Sequence, residues 1–191
     1  YTTLFRSLFE PWEGEILFDG KPAREWSRAV LSQSLAMVDQ EPFLFEGTLR
    51  DNLTLWSPEI PQSECIQAAR DAEIHEMIVA RPGGYESPVA EGGRNFSGGQ
   101  IQRLEIARAL VNAPSIVVLD EATSALDPLH EQRIDQHLRR RGITCLIVAH
   151  RLSTIRDCDE IIFMDQGEIL ERGTHDKLIE AGGPYAALVK E

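Results

Sequence analysis

NFSGGQIQRLEIARALVNAPSIVVLDEATSALD, residues 95–127, decides the fold. Its first half sets Ser97, Gly98 and Gly99 directly ahead of a run in which Ile101, Leu104, Ala107 (or Arg108) and Val111 recur at helical spacing. Glycine lets a backbone approach an anion closely, and the first N–H groups of a helix have no internal acceptor, so such a turn can hold phosphate. The Ser hydroxyl adds a donor. The plainer reading of the same residues is a Ser N-cap in front of an ordinary helix.

The second half narrows the choice. After Pro114, Ile116-Val117-Val118-Leu119 is a continuous apolar, β-branched run, the composition of a strand buried on both faces of a parallel sheet. Such strands deliver functional residues at their carboxyl ends, which places Asp120 and Glu121 at the sheet edge. An Asp there can hold Mg²⁺, directly or through water, and a Glu beside it can polarise an attacking water as a general base. Capping of the next helix is the competing use of two adjacent carboxylates.

FSGGQIQRLEIARAL resembles the signature motif of ATP-binding-cassette (ABC) proteins, and IVVLDEATSALD resembles their Walker B strand, catalytic Glu and D-loop in succession. Phe96 stands where the family usually has Leu. The resemblance covers Leu8 to Glu191 and implies an α/β fold class: a P-loop NTPase (RecA-like) parallel-sheet core with an ABC helical subdomain over about 41–112. It implies ATP and Mg²⁺ as cofactors, with Glu121 and His150 catalytic and Asp120 and Gln40 toward the metal. Gln40, Ser97, Gly98, Gly99, Gln100 and Asp127 would face ATP. In the family two such domains pair head to tail, the Ser97-Gly98-Gly99 turn of one closing on ATP held by the other.

Composition agrees with one α/β domain, or most of one: 191 residues, 42% hydrophobic. A net charge of −12 argues against a nucleic-acid partner, since phosphate backbones need a basic surface. Cys65, Cys145 and Cys158 are odd in number and lack C-x-x-C spacing, so neither a disulfide framework nor a zinc site is expected, and reduced thiols in a reducing compartment fit. No apolar stretch is long enough to cross a bilayer.

Residues 1–7, YTTLFRS, read as the in-frame translation of a sequencing-adapter end, against the competing reading of Thr2-Thr3-Leu4 as the tail of a Walker A motif. The family's G-x-x-G-x-G-K-[ST] phosphate loop and the strand before it would precede Leu8. The 191 residues alone are therefore expected to fold poorly, bind ATP weakly and hydrolyse none, with the edges of the Ile116 and Ile143 strands exposed.

Along the rest of the chain, Glu13 to Phe18 alternates into a strand closed by Asp19-Gly20, and Arg24 to Ser32 has helical spacing. Leu35 to Val38 forms a strand ending near Gln40, the family's Q-loop Gln, which by itself reads as a solvated loop residue. Phe43, Leu44 and Phe45 are bulky residues in a loop, either subdomain core or part of a groove for a partner. In exporters of the family a coupling helix from the membrane domain docks near this place. Ala90 to Gly93 resembles the exporter X-loop, or is a solvated loop. Pro128, Ile134 and Leu138 mark a helix whose end, Arg139-Arg140-Arg141-Gly142, suits the helix dipole. Ile143 to Ala149 reads as a buried parallel strand with His150 at its end, the family's switch His. Ile161 to Leu170 reads as a hairpin, and His175 receives no chemistry.

The resemblance points to an ABC exporter, with a transmembrane permease domain as partner, fused upstream, on the cytoplasmic face of the bacterial inner (plasma) membrane. Non-transport ABC ATPases are the alternative class. EPFLFEGTLRDNLTLW, ARPGGYESPVAEGGRNFSGGQ and LRRRGITCLIVAHRLSTIRDCDEII resemble exporters of peptide bacteriocins with nitrile-hydratase-type leaders, while lipid and multidrug exporters share the generic motifs.

Overall fold

The computed structural model describes residues 11, 13–149 and 151–189, so that residues 1–7 and His150 lie outside it. The chain forms two compact units, residues 1–148 and 149–191, a division that no linker composition announces.

In the first unit, β1 (Leu17–Phe18) and β2 (Lys21–Pro22) pair antiparallel. Asp19 and Gly20 both take positive φ, as a two-residue hairpin turn demands. The predicted helix over 24–32 is split: Ala23–Glu25 is a single 3₁₀ turn, and α1 (Arg28–Ser34) starts afresh after Ser27, whose hydroxyl accepts from the Val30 N–H at 3.3 Å. β3 (Leu35–Val38) follows at once.

β4 (Gly47–Thr48) and β5 (Pro88–Val89) pair antiparallel around three helices, α2 (Leu49–Thr54), α3 (Gln62–Asp71) and α4 (His75–Val79). Thr48 and Asp51 form a reciprocal capping box that fixes the start of α2. Leu44, with no exposed surface, enters the core with Leu49, Leu53, Ile74 and Ile78, whereas Phe43 and Phe45 are 51% and 43% exposed. The core reading of that tripeptide therefore holds for Leu44, while the rings on either side of it face outward. Burial pushes the Cys65 thiol up, and among the described residues no cysteine is in a disulfide.

α5 (Gly98–Leu110) leads into β6 (Ile116–Asp120), α6 (Pro128–Arg140) and β7 (Thr144–Val148). The sheet is parallel in the order β3-β6-β7. Leu104, Ile106, Leu110, Val117, Ile134 and Leu138 close the core, each fully buried large side chain contributing roughly 1.5–3 kcal/mol.

Two expectations change here. β6 is flanked on both sides, so the edge exposure foreseen for the Ile116 strand is not found there; among the described residues the sheet ends at β3 on one side and β7 on the other. Nor is β7 buried on both faces: Leu146 and Val148, which share one face, are more than a third exposed, while Cys145 and Ile147 on the other face pack against the core. The arginines closing α6 do more than complement a dipole, since Arg141 Nε lies 2.7 Å from Asp71 on α3 and Arg139 Nε 2.7 Å from Asp135.

The second unit holds α7 (Leu152–Ile155), the hairpin β8 (Ile161–Asp165) and β9 (Glu168–Gly173), then α8 (His175–Ala181) and α9 (Pro184–Val189). Gln166 and Gly167 take positive φ at the hairpin turn. Ile161, Leu178 and Tyr185 form its core, and His175 Nδ1 sits 2.9 Å from the Tyr185 hydroxyl, a structural use of that His. Among the described residues no helix is long and apolar enough to cross a membrane.

Candidate functional site

The carboxyl end of β6 carries the site. Register sets Val38 of β3 beside Leu119 of β6, so the two strands end level. Asp120 is the last strand residue, half-buried, opposite Val148. Glu121 then leaves the sheet with φ +49, and its N–H donates to the Val148 carbonyl at 2.9 Å. A left-handed backbone costs a residue with Cβ roughly 1–2 kcal/mol. Such cost is borne where a side chain must be aimed, and here it turns the Glu121 carboxylate toward the end of β3. Gln40, two residues past β3, meets it there: Gln40 Nε2 donates to Glu121 Oε2 at 3.0 Å.

Gln102 is the residue that sequence reading missed. It is 2% exposed, its Oε1 accepts from the Ala125 N–H at 2.9 Å, and its Nε2 reaches the Glu121 carbonyl at 3.4 Å. α5 thereby holds the turn from Glu121 to Ala125. The signal was available, because Gln102 falls in register with buried Ile106 and Leu110 at i, i+4, i+8, and a Gln on an apolar stripe needs partners.

At the start of α5 the N-cap reading of Ser97 is correct. Its hydroxyl accepts from the Gln100 N–H at 3.3 Å, and its own N–H donates to Gln100 Oε1 at 3.0 Å. The Gln100 side chain is therefore engaged in the cap. Gly98 and Gly99 supply the first two N–H groups of the helix, which have no intrahelical acceptor, so the cap leaves N–H groups at this turn that an anion could meet. Gly99 is also needed for packing, since a Cβ there would stand 3.1 Å from the Ala125 carbonyl oxygen. Phe96, in place of the family's Leu, packs on the core with the Arg81 guanidinium 4.3 Å from its ring centroid.

Asp127 caps α6, accepting from the Leu129 and His130 N–H groups at 3.1 Å each. The His130 side chain, then its backbone N–H, hold this exposed carboxyl below the usual range. Gln40 and Glu121 are thus joined, with Asp120 the residue before Glu121 at the strand end, and the Ser97–Gln100 turn is tied to the loop behind it through Gln102 and the Gly99–Ala125 approach.

Among the described residues no group of three or more His, Cys, Asp or Glu is arranged to hold a metal. Mg²⁺ in nucleotide sites takes one or two carboxylates and completes its shell with water and phosphate. Asp120 fits that demand. With its Nε2 turned to Glu121, Gln40 has its amide oxygen as the group for a cation.

The model of the family described as ABC transporter matches residues 2–124, which include the Ser-Gly-Gly turn, Asp120 and Glu121. The chain belongs to the ABC transporter family. It is 45% identical over 97% of its length to the sophorolipid transporter of Starmerella bombicola, of which it spans 15%. It is 44% identical over 97% of its length to the ATP-dependent lipid A-core flippase of Chromohalobacter salexigens, of which it spans 32%. A solved bacterial Atm1-family ABC exporter with ATP bound superposes with TM-score 0.92 at 38% identity, over 99% of this chain and 33% of that one. The fold is therefore the ABC form of the P-loop NTPase fold, and the chain spans a third or less of these relatives. Asp127 and His150 lie beyond the residues that the family model matches.

Proposed function

We propose that this chain is part of the ATP-hydrolysing motor domain of an ABC exporter. The observation that carries the reading is the Gln40–Glu121 hydrogen bond at the end of β6, in a chain of this family. Glu121 is the general base: its carboxylate takes a proton from water as the water oxygen attacks the terminal phosphorus and the bond to the bridging oxygen breaks. Gln40 orients that carboxylate, and Asp120 would hold Mg²⁺. When bound, the metal neutralises charge on the phosphate oxygens. Ser97, Gly98, Gly99 and Gln100 present helix N–H groups and the cap to the nucleotide of a second ABC ATPase domain, paired head to tail, with Asp127 at the same junction. His150 contacts the terminal phosphate.

A transmembrane permease domain, fused upstream, is the second partner, and the aromatic surface of Phe43 and Phe45 is where its coupling helix docks. Residues 41–112 act as the helical subdomain between that surface and the Ser97 turn. The motor works on the cytoplasmic face of a bacterial inner membrane, with no nucleic acid involved. The relatives named for a sophorolipid and for lipid A-core favour an amphiphilic, lipid-like or multidrug cargo. A bacteriocin-like peptide is the second reading, favoured by the three segments around Phe43, Gly93 and His150.

The test is the intact transporter in lipid vesicles. ATP-dependent movement of a fluorescent lipid is expected, with turnover stimulated by amphiphiles. Stimulation by a leader-bearing peptide alone would replace the lipid reading, and absence of any ATP hydrolysis would reject the motor assignment.

A further inference from the structure

We propose that Arg108 is a positioning residue that ties the Phe43–Phe45 surface to the helix carrying the Ser97 turn, so that the membrane domain and the nucleotide are coupled through one guanidinium. This rests on the exporter reading given above.

Arg108 lies on the last full turn of α5, roughly 16 Å along the helix axis from Ser97 at 1.5 Å per residue. Its Nε donates to the Asn52 carbonyl at 2.7 Å, Nη1 to the Phe43 carbonyl at 3.0 Å and Nη2 to Asn52 Oδ1 at 3.1 Å. It also pairs with Glu105 one turn back. Asn52, 1% exposed, passes the tie on: its Oδ1 accepts from the Phe45 N–H at 2.8 Å, and its Nδ2 donates to the Phe45 carbonyl at 2.9 Å and the Thr48 carbonyl at 3.0 Å. The backbone of Phe43 and both polar groups of Phe45 are thus held by one Arg–Asn unit, while the two rings remain exposed, 5.2 Å apart edge to face. Trp56 extends the same surface from Phe45 at 5.8 Å.

Stability alone does not call for this arrangement. Leu44, Leu49, Leu53 and Leu104 already join the loop and α2 to α5 by apolar packing, whereas burying an ion pair has a desolvation cost that its attraction often fails to recover. The Arg108 side chain is only 11% exposed, and burial raises the Glu105 carboxyl beside it. What the polar tie adds is direction. The loop that begins at Gln40, bonded to Glu121, ends at Phe45, bonded through Asn52 to α5. A displacement of the aromatic surface therefore acts on the general base at one end and on the Ser97 helix at the other. Four acceptors set at different angles, the Glu105 carboxylate among them, require the guanidinium fork; an ammonium keeps the charge but cannot span them.

The test uses the intact transporter, spin-labelled at one pair of positions across the two ATPase domains and another across the membrane domains, before and after Mg-ATP. Arg108→Lys and Asn52→Ala are each compared with the parent, alongside thermal melting and ATP turnover. In the parent both distances are expected to respond. In each variant the ATPase domains still pair and turnover stays within about twofold, while the membrane-domain response falls by about fivefold or more, a coupling loss of ordinary allosteric size. The double variant should be no worse than the singles, because both cut one tie. A membrane-domain response retained in both variants overturns the proposal, as does loss of both distances together, which marks a structural staple. If Arg108→Lys does not fold, Asn52→Ala decides on the same criteria, and failure of both to fold also overturns it. A parent that neither hydrolyses ATP nor responds to it would instead refute the exporter reading.

Discussion

Gln40 Nε2 and Glu121 Oε2 are joined at 3.0 Å across 81 residues of sequence. The contact exists because β3 and β6 are in register and end level, and because Glu121 takes a left-handed backbone that swings its side chain across the sheet edge. One neutral amide thus orients the carboxylate proposed as the general base, and its own oxygen is left for a cation.

From this follows the effect of removing the donor. Gln40→Ala should lower ATP turnover by about 10- to 100-fold, the range for loss of orientation at a reacting group, while ATP affinity changes little. Steady-state hydrolysis with a parallel nucleotide-binding titration checks it. Unchanged turnover would return Gln40 to the reading of a solvated loop residue.

Gly99→Ala should impair turnover although Ala favours helix by about 1 kcal/mol over Gly. The new Cβ would sit 3.1 Å from the Ala125 carbonyl, so the turn that Gln102 holds must shift. Faster hydrogen exchange at Ala125 and Leu126, with turnover down by about tenfold, is the expected pair of results. A variant with parental exchange and rate would show that the turn yields freely.

How much of this could be read from the sequence depends on whether a residue's role is local. β3 and β6 were legible because short apolar runs bounded by Ser, Pro and Asp leave little choice of structure. Ser97 was legible as the cap of the helix that follows it. The exposed face of β7 was not, since its apolar run matches that of a strand covered on both faces. Asn52 and Gln102 escaped notice because a buried amide gains its meaning from partners far away in sequence. The Arg139-Arg140-Arg141 run fitted a dipole argument, yet Arg141 is aimed at Asp71 on another helix. The positive φ of Glu121 has no signature in residue type at all.

Glu73 gives a pH dependence of stability. Burial would raise its carboxyl, but hydrogen bonds from His137 (3.0 Å) and Arg133 (3.2 Å) outweigh it and hold it below the usual range. A depressed folded-state value means that the contribution is present above the unfolded carboxyl range, near 4.3, and is lost as pH falls through the lower folded value. Glu73→Gln should therefore cost on the order of 0.5–1 kcal/mol near pH 7, less at high salt, with the difference from the parent vanishing as pH drops below about 4. Urea titrations at stepped pH measure it; a difference that persists at low pH would assign the effect to packing.

The central claim is that Glu121 is the base of an ATP-hydrolysing motor. Glu121→Gln keeps the size of the side chain and can still meet Gln40 through its amide, but it cannot take a proton. Measured on the intact transporter, steady-state hydrolysis should fall by orders of magnitude while Mg-ATP still binds and the paired domains still close. Hydrolysis by Glu121→Gln at the parental rate would contradict the account.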